Sequence, residues 1–485
     1  MLTAVNLLLR FAGTSFQVYL SGRIGPAGIG LLQLTLSVGS LAAVTAMAGV
    51  RTAAMYLTAA SLGRKRPGEV TWVLSGCFLY SILCSGVVAA VLAIFAPQIA
   101  LHWIGDLRTK NALRLFAAFL PTGCLCGVMT GYFTAANRIG TLAAVEVIEQ
   151  LTSILLTMAS LTLWAGTDPG RSCLCVILGS GLGGCLTLLC LTVLRLREHP
   201  GWSRPIPVAR PLLNIAAPLA LADVTKALIN TTENLMVPKR LRLFPRMEDP
   251  LAAFGRLTGM VFPVLMFPAC ILFALAELLL PELARCAAAG SRERIRYLVR
   301  RGLGLALLYG SVLAGGMYLL APYLCARLYH DDQAGTMLRL YSLLIPMLYC
   351  DTITDSMTKG LGQQKACVRY NILTSTLDVA FLYLLLPEYG LSGYFISFLG
   401  THLLNFWLSL RRLVRITGEP LSSTLPILVL GSTAAAVLAG SSFQSPLLSV
   451  GVYLAVLLSL WTILGILDKS DARWLKNLLL PSMAN

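Results

Sequence analysis

Ionisable side chains are rare inside the long apolar stretches of this chain, and the few that occur there are the best candidates for ligand binding. The apolar stretch 210–237 carries Asp223, Lys226, Asn230 and Glu233, and the stretch 2–21 carries Arg10 near its middle. A charged side chain at the centre of a bilayer costs roughly 2.5–3.5 kcal/mol even on a lenient scale, so it faces a partner or a watery cavity. These residues therefore predict a polar cavity rather than a lipid-facing surface.

Two further carboxylates belong to this candidate set. Glu149 lies in the stretch 142–165 and Asp378 in the stretch 367–387. Simpler roles remain open for several members. Asp223 and Lys226 are three residues apart on a helix and can form a structural ion pair. Glu149 can stabilise the start of a helix, because a carboxylate interacts favourably with the positive end of the helix dipole.

The elements that position these residues are fourteen apolar stretches, each long enough to cross a bilayer. The chain is 56% hydrophobic and only 12% charged, whereas a soluble domain has about 25% charged residues. A crossing helix needs roughly 20 apolar residues, and without water each backbone polar group must be satisfied within its own helix. The sequence predicts an all-α polytopic membrane protein with about 14 transmembrane helices.

The distribution of Lys and Arg predicts the orientation of these helices. Of the 38 basic residues, 24 lie in loops after even-numbered spans or in the C-terminal segment, and 12 lie on the opposite side. Since basic loops stay in the cytoplasm, both termini are expected to be cytoplasmic in a bacterial cytoplasmic membrane. The net charge of +16 fits anionic membrane lipids as partners. The scattered basic residues do not form a nucleic-acid surface.

Two glycine-rich motifs recur at nearly the same offset and indicate an internal repeat. The segment around Gly30 resembles that around Gly255, and the segment around Gly131 resembles that around Gly360. Repeats of this size predict two six-helix bundles with a binding site between them. The predicted domains are residues 1–209, with a cytoplasmic linker, and 210–415. Residues 416–485 form two extra transmembrane helices and a cytoplasmic tail.

Enzymatic, metal and nucleotide chemistry have little support in the sequence. The four histidines are far apart, and the two C-x-C pairs lack the spacing of a metal site. No G-x-x-x-x-G-K-[ST] motif occurs, so ATP hydrolysis on this chain is excluded. We expect no catalytic residue, metal or cofactor, and an ion gradient or the membrane potential remains open as the energy source.

Several motifs, in order along the chain, resemble the multidrug/oligosaccharidyl-lipid/polysaccharide (MOP) exporter superfamily. The match is to the polysaccharide-transporter branch that contains stage V sporulation protein B. The motifs are RFAG at 10–13, GPAGIGL at 25–31, GYF at 131–133, EVIEQ at 146–150, ENLMVPKRL at 233–241, LTGMVFP at 257–263 and GLGQ at 360–363.

The resemblance implies two helical bundles around a V-shaped cavity and transport of a lipid-linked sugar or peptidoglycan precursor, in envelope or spore cortex assembly. By analogy with lipid II flippases, Arg10 would bind the pyrophosphate. The chain departs from the family in span six, where Gly183-Gly184-Cys185 replaces a frequent acidic residue.

Three functions remain as alternatives. The favoured one is a flippase for a lipid-linked oligosaccharide or peptidoglycan precursor that works by alternating access. The second is a cation-coupled multidrug exporter of the same fold, but such exporters usually carry a carboxylate in span one, where this chain has Arg10. The third is a membrane-embedded glycan polymerase, which normally needs a larger extracytoplasmic loop. Oligomeric state and the exact substrate are left open by the sequence.

Overall fold

The computed structural model describes residues 2–66, 68–165, 168–197, 207–418 and 424–466. All regular elements in these ranges are helical. Ten of the helices formed by these residues are long and apolar enough to cross a membrane, and a broken pair, Pro250–Met266 with Cys270–Ala288, makes an eleventh crossing. The prediction of an all-α, multi-pass membrane protein is confirmed.

Two long helices each contain an internal break at a glycine. Gly25 has φ 72° and ψ 171°, and Gly390 has φ 56° and ψ −132°. Positive φ is readily adopted only by glycine, so each break separates two helices that follow one another without a loop. If both helices are counted twice, and Asp332–Ser342 with Ile345–Gly360 as one crossing, the described residues contain the fourteen crossings predicted from the sequence.

The chain forms two compact units, and the first comprises Met1–Met260 and Ser375–Ser397. Buried apolar residues from four of its helices form the largest part of its core, including Val50, Val73, Val128 and Leu191. The helices of this unit are α1 (Leu2–Met47), α2 (Val50–Gly63), α3 (Glu69–Gln98), α4 (Lys110–Ala135), α5 (Ile139–Ser160), α6 (Pro169–Leu196), α7 (Ala209–Leu241) and α8 (Pro250–Arg256).

The second unit comprises Val261–Thr374 and Phe398–Asn485. Its last two helices pack on α11, where Tyr453 Oη donates to the Ser311 carbonyl at 3.0 Å. The helices are α9 (Phe262–Met266), α10 (Cys270–Ala288), α11 (Arg292–Tyr329), α12 (Asp332–Ser342), α13 (Ile345–Gly360), α14 (Gln364–Thr417), α15 (Thr424–Ser441) and α16 (Pro446–Ile463). Residues 375–397 of α14 belong to the first unit.

The predicted domain bounds at 209/210 and 415/416 follow the order of the repeat along the chain and stay a prediction. Much of the predicted linker (198–206) and the predicted cytoplasmic tail (467–485) lie outside the described residues.

The first pair of repeated glycines makes a reciprocal contact between α1 and α8 inside the first unit. A Cβ on Gly255 would overlap the Pro26 carbonyl oxygen and lie 2.6 Å from the Gly30 nitrogen, and a Cβ on Gly30 would overlap the Leu251 carbonyl oxygen. Position 251 follows 26 by 225 residues, as 255 follows 30. Contacts exchanged in this way are those of a local pseudo-two-fold axis, and they support the internal repeat.

The second pair makes equivalent contacts within separate units. In the first unit a Cβ on Gly131 would lie 2.5 Å from the Arg51 carbonyl oxygen, and in the second a Cβ on Gly360 would lie 2.8 Å from that of Leu280. Both members of the second contact lie 229 positions after their counterparts (131 to 360, and 51 to 280). In both places glycine allows one helix backbone to approach another closely.

Candidate functional site

The polar residues predicted to line a cavity on the seventh span share one face of α7. Asp223, Lys226, Asn230 and Glu233 are spaced by three or four residues along this helix, and such residues lie above one another on an α-helix. The first three are exposed and Glu233 is half-buried. The helix therefore presents a polar stripe about three turns long.

Asp223 and Lys226 form no ion pair within 4 Å in the part of the chain that the structure describes. Both side chains are exposed, and an exposed pair at this spacing gains only about 0.2–0.5 kcal/mol. The expectation that Lys226 neutralises Asp223 is therefore wrong for this structure. Both charges remain directed to the surroundings of α7.

The polar stripe ends at a pair of carboxyl groups. Glu233 of α7 lies within side-chain hydrogen-bonding reach of Asp378 of α14. Asp378 is only 8% exposed, and its Oδ1 accepts a hydrogen bond of 2.6 Å from Ser397 Oγ. Two adjacent carboxylates repel each other unless a proton or a cation is shared between them. This cluster is thus able to take up and release one positive charge.

Arg10 and Glu149 occupy neighbouring helices elsewhere in the same unit. The Gln150 side chain of α5 donates from Nε2 to the Leu9 carbonyl of α1 at 2.9 Å. Arg10 and Glu149 are therefore at a similar level on adjacent helices. The Arg10 side chain is exposed, whereas the Glu149 carboxylate accepts a hydrogen bond from Thr187 of α6 at 2.8 Å.

The contact with Thr187 gives Glu149 a structural role between α5 and α6. These helices pack closely, because a Cβ on Gly179 would lie 2.8 Å from the Thr157 nitrogen and one on Gly183 would overlap the Ser153 side chain. The same packing explains why span six carries small residues where relatives carry an acid, since a carboxylate side chain at Gly183 has no room. Of the seven predicted residues, Glu149 is thus the one tied into a helix contact away from α7.

Ser397 is the functional residue that sequence reasoning missed. It is 1% exposed and donates to the Asp378 carboxylate. A lone serine in an apolar helix carries no signal of its own, because such hydroxyls commonly bond to the carbonyl one turn before. The break at Gly390 between Asp378 and Ser397 is the only hint that the two residues can face one another.

Comparisons with known proteins agree with this architecture. Residues 24–243 match the family model described as a polysaccharide biosynthesis protein. Stage V sporulation protein B of Bacillus subtilis (strain 168) is 21% identical over 406 residues, which cover 81% of this chain and 78% of that protein.

Two solved structures share the fold. The lipid II flippase MurJ, in an inward closed conformation, matches with a TM-score of 0.74 and 12% identity over 96% of this chain and 98% of that one. An inward-facing multidrug resistance MATE family transporter of the MOP superfamily matches with a TM-score of 0.69 and 13% identity, over 84% and 95%. At these identities the likeness concerns the fold. The chain is thus a multi-pass membrane protein with the fold of MOP-superfamily transporters, and its resemblance to the polysaccharide-transporter branch that contains stage V sporulation protein B is confirmed.

Proposed function

We propose that this chain is a flippase that moves a lipid-linked oligosaccharide or peptidoglycan precursor across the bacterial cytoplasmic membrane by alternating access. The observation that carries the proposal is the match of residues 24–243 to the polysaccharide biosynthesis family model. The similarity to stage V sporulation protein B favours a role in envelope or spore cortex assembly. The MurJ fold supports a lipid-linked substrate as the partner of this chain.

The charge of the first span favours an anionic substrate over an organic cation. Residues 2–24 contain Arg10 and Arg23 and no Asp or Glu. A guanidinium presents a planar fork that matches phosphate oxygens, so we assign Arg10 to the pyrophosphate of the substrate. Two unit charges 4 Å apart attract by about 4 kcal/mol at an effective dielectric constant of 20. About a third of that energy already changes binding tenfold.

The carboxyl pair is our candidate for coupling transport to an ion gradient. Glu233 and Asp378 accept one proton or one monovalent cation between them, and Ser397 holds Asp378 in place. Binding of that charge removes the repulsion between α7 and α14. Replacing Glu233 by Gln and, separately, Asp378 by Asn should abolish the dependence of transport on a Na⁺ or H⁺ gradient. Glu388→Gln is the matched control, because it removes an exposed acid from the same helix.

The orientation that we propose places both termini in the cytoplasm. It rests on the excess of basic residues in loops after even-numbered spans. Arg294, which precedes α11, and Arg64, which follows α2, are then cytoplasmic. Substrate is accordingly taken up from the cytoplasmic leaflet.

The decisive test compares two classes of ligand on the purified protein. Native mass spectrometry and a thermal-shift assay should show binding and stabilisation by an undecaprenyl-pyrophosphate-linked sugar and none by ethidium. Labelled lipid II should be flipped in liposomes that contain the protein. Arg10→Ala should abolish the stabilisation, whereas Arg23→Ala, which removes an equal charge from the same helix, should retain it.

The competing function, a cation-coupled drug exporter, predicts the opposite pattern. It requires stabilisation by ethidium alone and Na⁺- or H⁺-driven ethidium efflux from a pump-deficient host. That combination of results would overturn the flippase proposal.

A further inference from the structure

A groove in the first unit combines a long apolar wall with two cationic side chains at one end. Its volume is about 630 Å³. It is lined by α7, by α1, by the π-helical turn Ile99–Ile104 and by the part of α14 that belongs to this unit. The cationic end is formed by Lys239 and Arg240, in the last turn of α7. None of these features belongs to the carboxyl pair described above.

The two cations are held in place by uncharged partners. Lys239 Nζ donates to the His102 carbonyl oxygen at 2.6 Å, and the Arg240 guanidinium carbon lies 3.2 Å from the centre of the Tyr383 ring. An ammonium has three donors and a guanidinium five, so both groups keep donors for a ligand. Neither forms an ion pair with a carboxylate among the residues that the structure describes.

Cations at the C-terminal end of a helix interact favourably with the helix dipole, and this explains their position without a ligand. It does not explain why both line one groove while the ring of Tyr383 fixes the plane of Arg240. A flat guanidinium stacked on an aromatic ring keeps its edge available for a planar or tetrahedral anion. The arrangement is complementary to a phosphate.

The rest of the groove suits a hydrocarbon chain. Leu41, Leu228, Leu235 and Met236 line its wall, and no Asp, Glu, Asn or Gln is among the lining residues. Sugar recognition depends on such hydrogen-bonding side chains, so the groove is not a sugar site. Trp103 and Tyr383 are 45% and 54% exposed, and aromatic residues of this kind are enriched at the membrane interface.

The groove lies on the side of α7 opposite the polar stripe. Successive residues of an α-helix advance by about 100°. Leu228, Leu235 and Lys239 therefore project on average about 170° away from the direction of Lys226, Asn230 and Glu233. The two faces of α7 are suited to different ligands.

We propose that this groove binds an anionic glycerophospholipid, with its phosphate between Lys239 and Arg240 and an acyl chain along Leu228 and Leu235. The phosphate gains charge-assisted hydrogen bonds from both side chains, and the chain replaces exposed apolar surface. Such a site fixes the position of α7 against the headgroup level of the membrane and adds a lipid requirement to the proposed transport.

The test uses the full chain, purified in detergent and titrated with phosphatidylglycerol or phosphatidylcholine in native mass spectrometry. The wild type should retain phosphatidylglycerol at least tenfold more strongly than phosphatidylcholine. The double variant Lys239→Ala/Arg240→Ala should lose that preference. The matched control, Arg242→Ala/Arg246→Ala, removes two charges from the end of α7 and the segment after it, outside the groove, and should keep it.

A second variant tests the apolar wall with both cations intact. Leu228→Trp fills the groove and should lower retention of phosphatidylglycerol at least fivefold, without loss of thermal stability in detergent. Equal loss of preference in the two double variants would show general charge attraction and would overturn the site. So would unchanged retention in Leu228→Trp, or retention of undecaprenyl pyrophosphate in place of phosphatidylglycerol. Arg10→Ala should retain phosphatidylglycerol normally, which separates this proposal from the transport proposal.

Discussion

The closest helix contact in the first unit should respond strongly to a single methyl group. Gly255→Ala places a Cβ 2.6 Å from the Gly30 nitrogen and in overlap with the Pro26 carbonyl oxygen. Both neighbours are backbone atoms, and no side-chain rotation can move them away. Ordinary contacts of a Cβ begin at 3.4 Å, so α1 and α8 must separate by about 0.8 Å or more.

The expected cost follows from two opposing terms. Overpacking of a well-packed contact costs about 1–3 kcal/mol, and a clash between backbones belongs at the upper end of that range. Alanine in place of glycine within a helix returns about 1 kcal/mol. The net loss is about 2 kcal/mol in the free energy of unfolding. Gly22→Ala in α1, where a Cβ would meet no atom within 4 Å, should be neutral or slightly stabilising.

Thermal unfolding of the purified variants, followed by size-exclusion chromatography with fluorescence detection, measures this difference. Gly255→Ala should unfold several degrees below the wild type and below Gly22→Ala. The double variant Gly30→Ala/Gly255→Ala should be less destabilised than the sum of the two single changes, because one separation of the helices relieves both clashes. Strict additivity, or a Gly255→Ala protein as stable as the wild type, would refute the reciprocal contact.

Three other predictions concern topology, substrate binding and pH. In a background without native cysteines, a cysteine at Arg64 should be protected from impermeant thiol reagents in intact cells and one at Arg242 labelled, because basic loops remain in the cytoplasm; the reverse pattern would invert the topology. Arg10→Ala should abolish transport at normal expression and Arg10→Lys restore only part, since an ammonium keeps the charge and loses the fork; normal transport by Arg10→Ala would remove it from the substrate site. Partial burial raises the pKa of Asp106, but hydrogen bonds from Arg108 and its charge outweigh that effect and hold the pKa below the usual 3.8. A lowered folded-state pKa stabilises the protein above the unfolded-state pKa, and the benefit is lost as pH falls through the folded-state value. Asp106→Asn should therefore be less stable than the wild type at pH 7, with the difference vanishing at the lowest pH; a difference independent of pH would contradict this.

The helical architecture and the repeat were predictable from the sequence because hydrophobic length is the strongest signal that a membrane imposes. The breaks at Gly25 and Gly390 fall between predicted spans, where each glycine allows the backbone to leave the helix. The polar stripe of α7 was also predictable, since a spacing of three and four residues defines a helix face before any contact is known.

The partners of the polar residues were not predictable, because they depend on which helices become neighbours. Pairing of Asp223 with Lys226 was a local expectation, and the structure does not form it. The contact of Glu233 with Asp378 joins residues 145 positions apart, and no local rule of spacing connects them. Glu149 looked like a cavity residue, but its hydrogen bond to Thr187 depends on the packing of α5 against α6.

The helix α14 contacts α7 at two levels, and this arrangement connects the carboxyl pair to the lipid groove. Asp378 lies beside Glu233, and Tyr383 lies under Arg240. Glu233 and Arg240 are two turns apart on α7, about 10.5 Å along its axis. A movement of α14 along α7 that relieves the repulsion of the carboxylates therefore also shifts the ring beneath Arg240. Uptake of a cation by the pair and the grip on a lipid phosphate are then two consequences of one helix displacement, and a lipid that holds Arg240 in place biases the charge state of Glu233 and Asp378 by the same coupling energy.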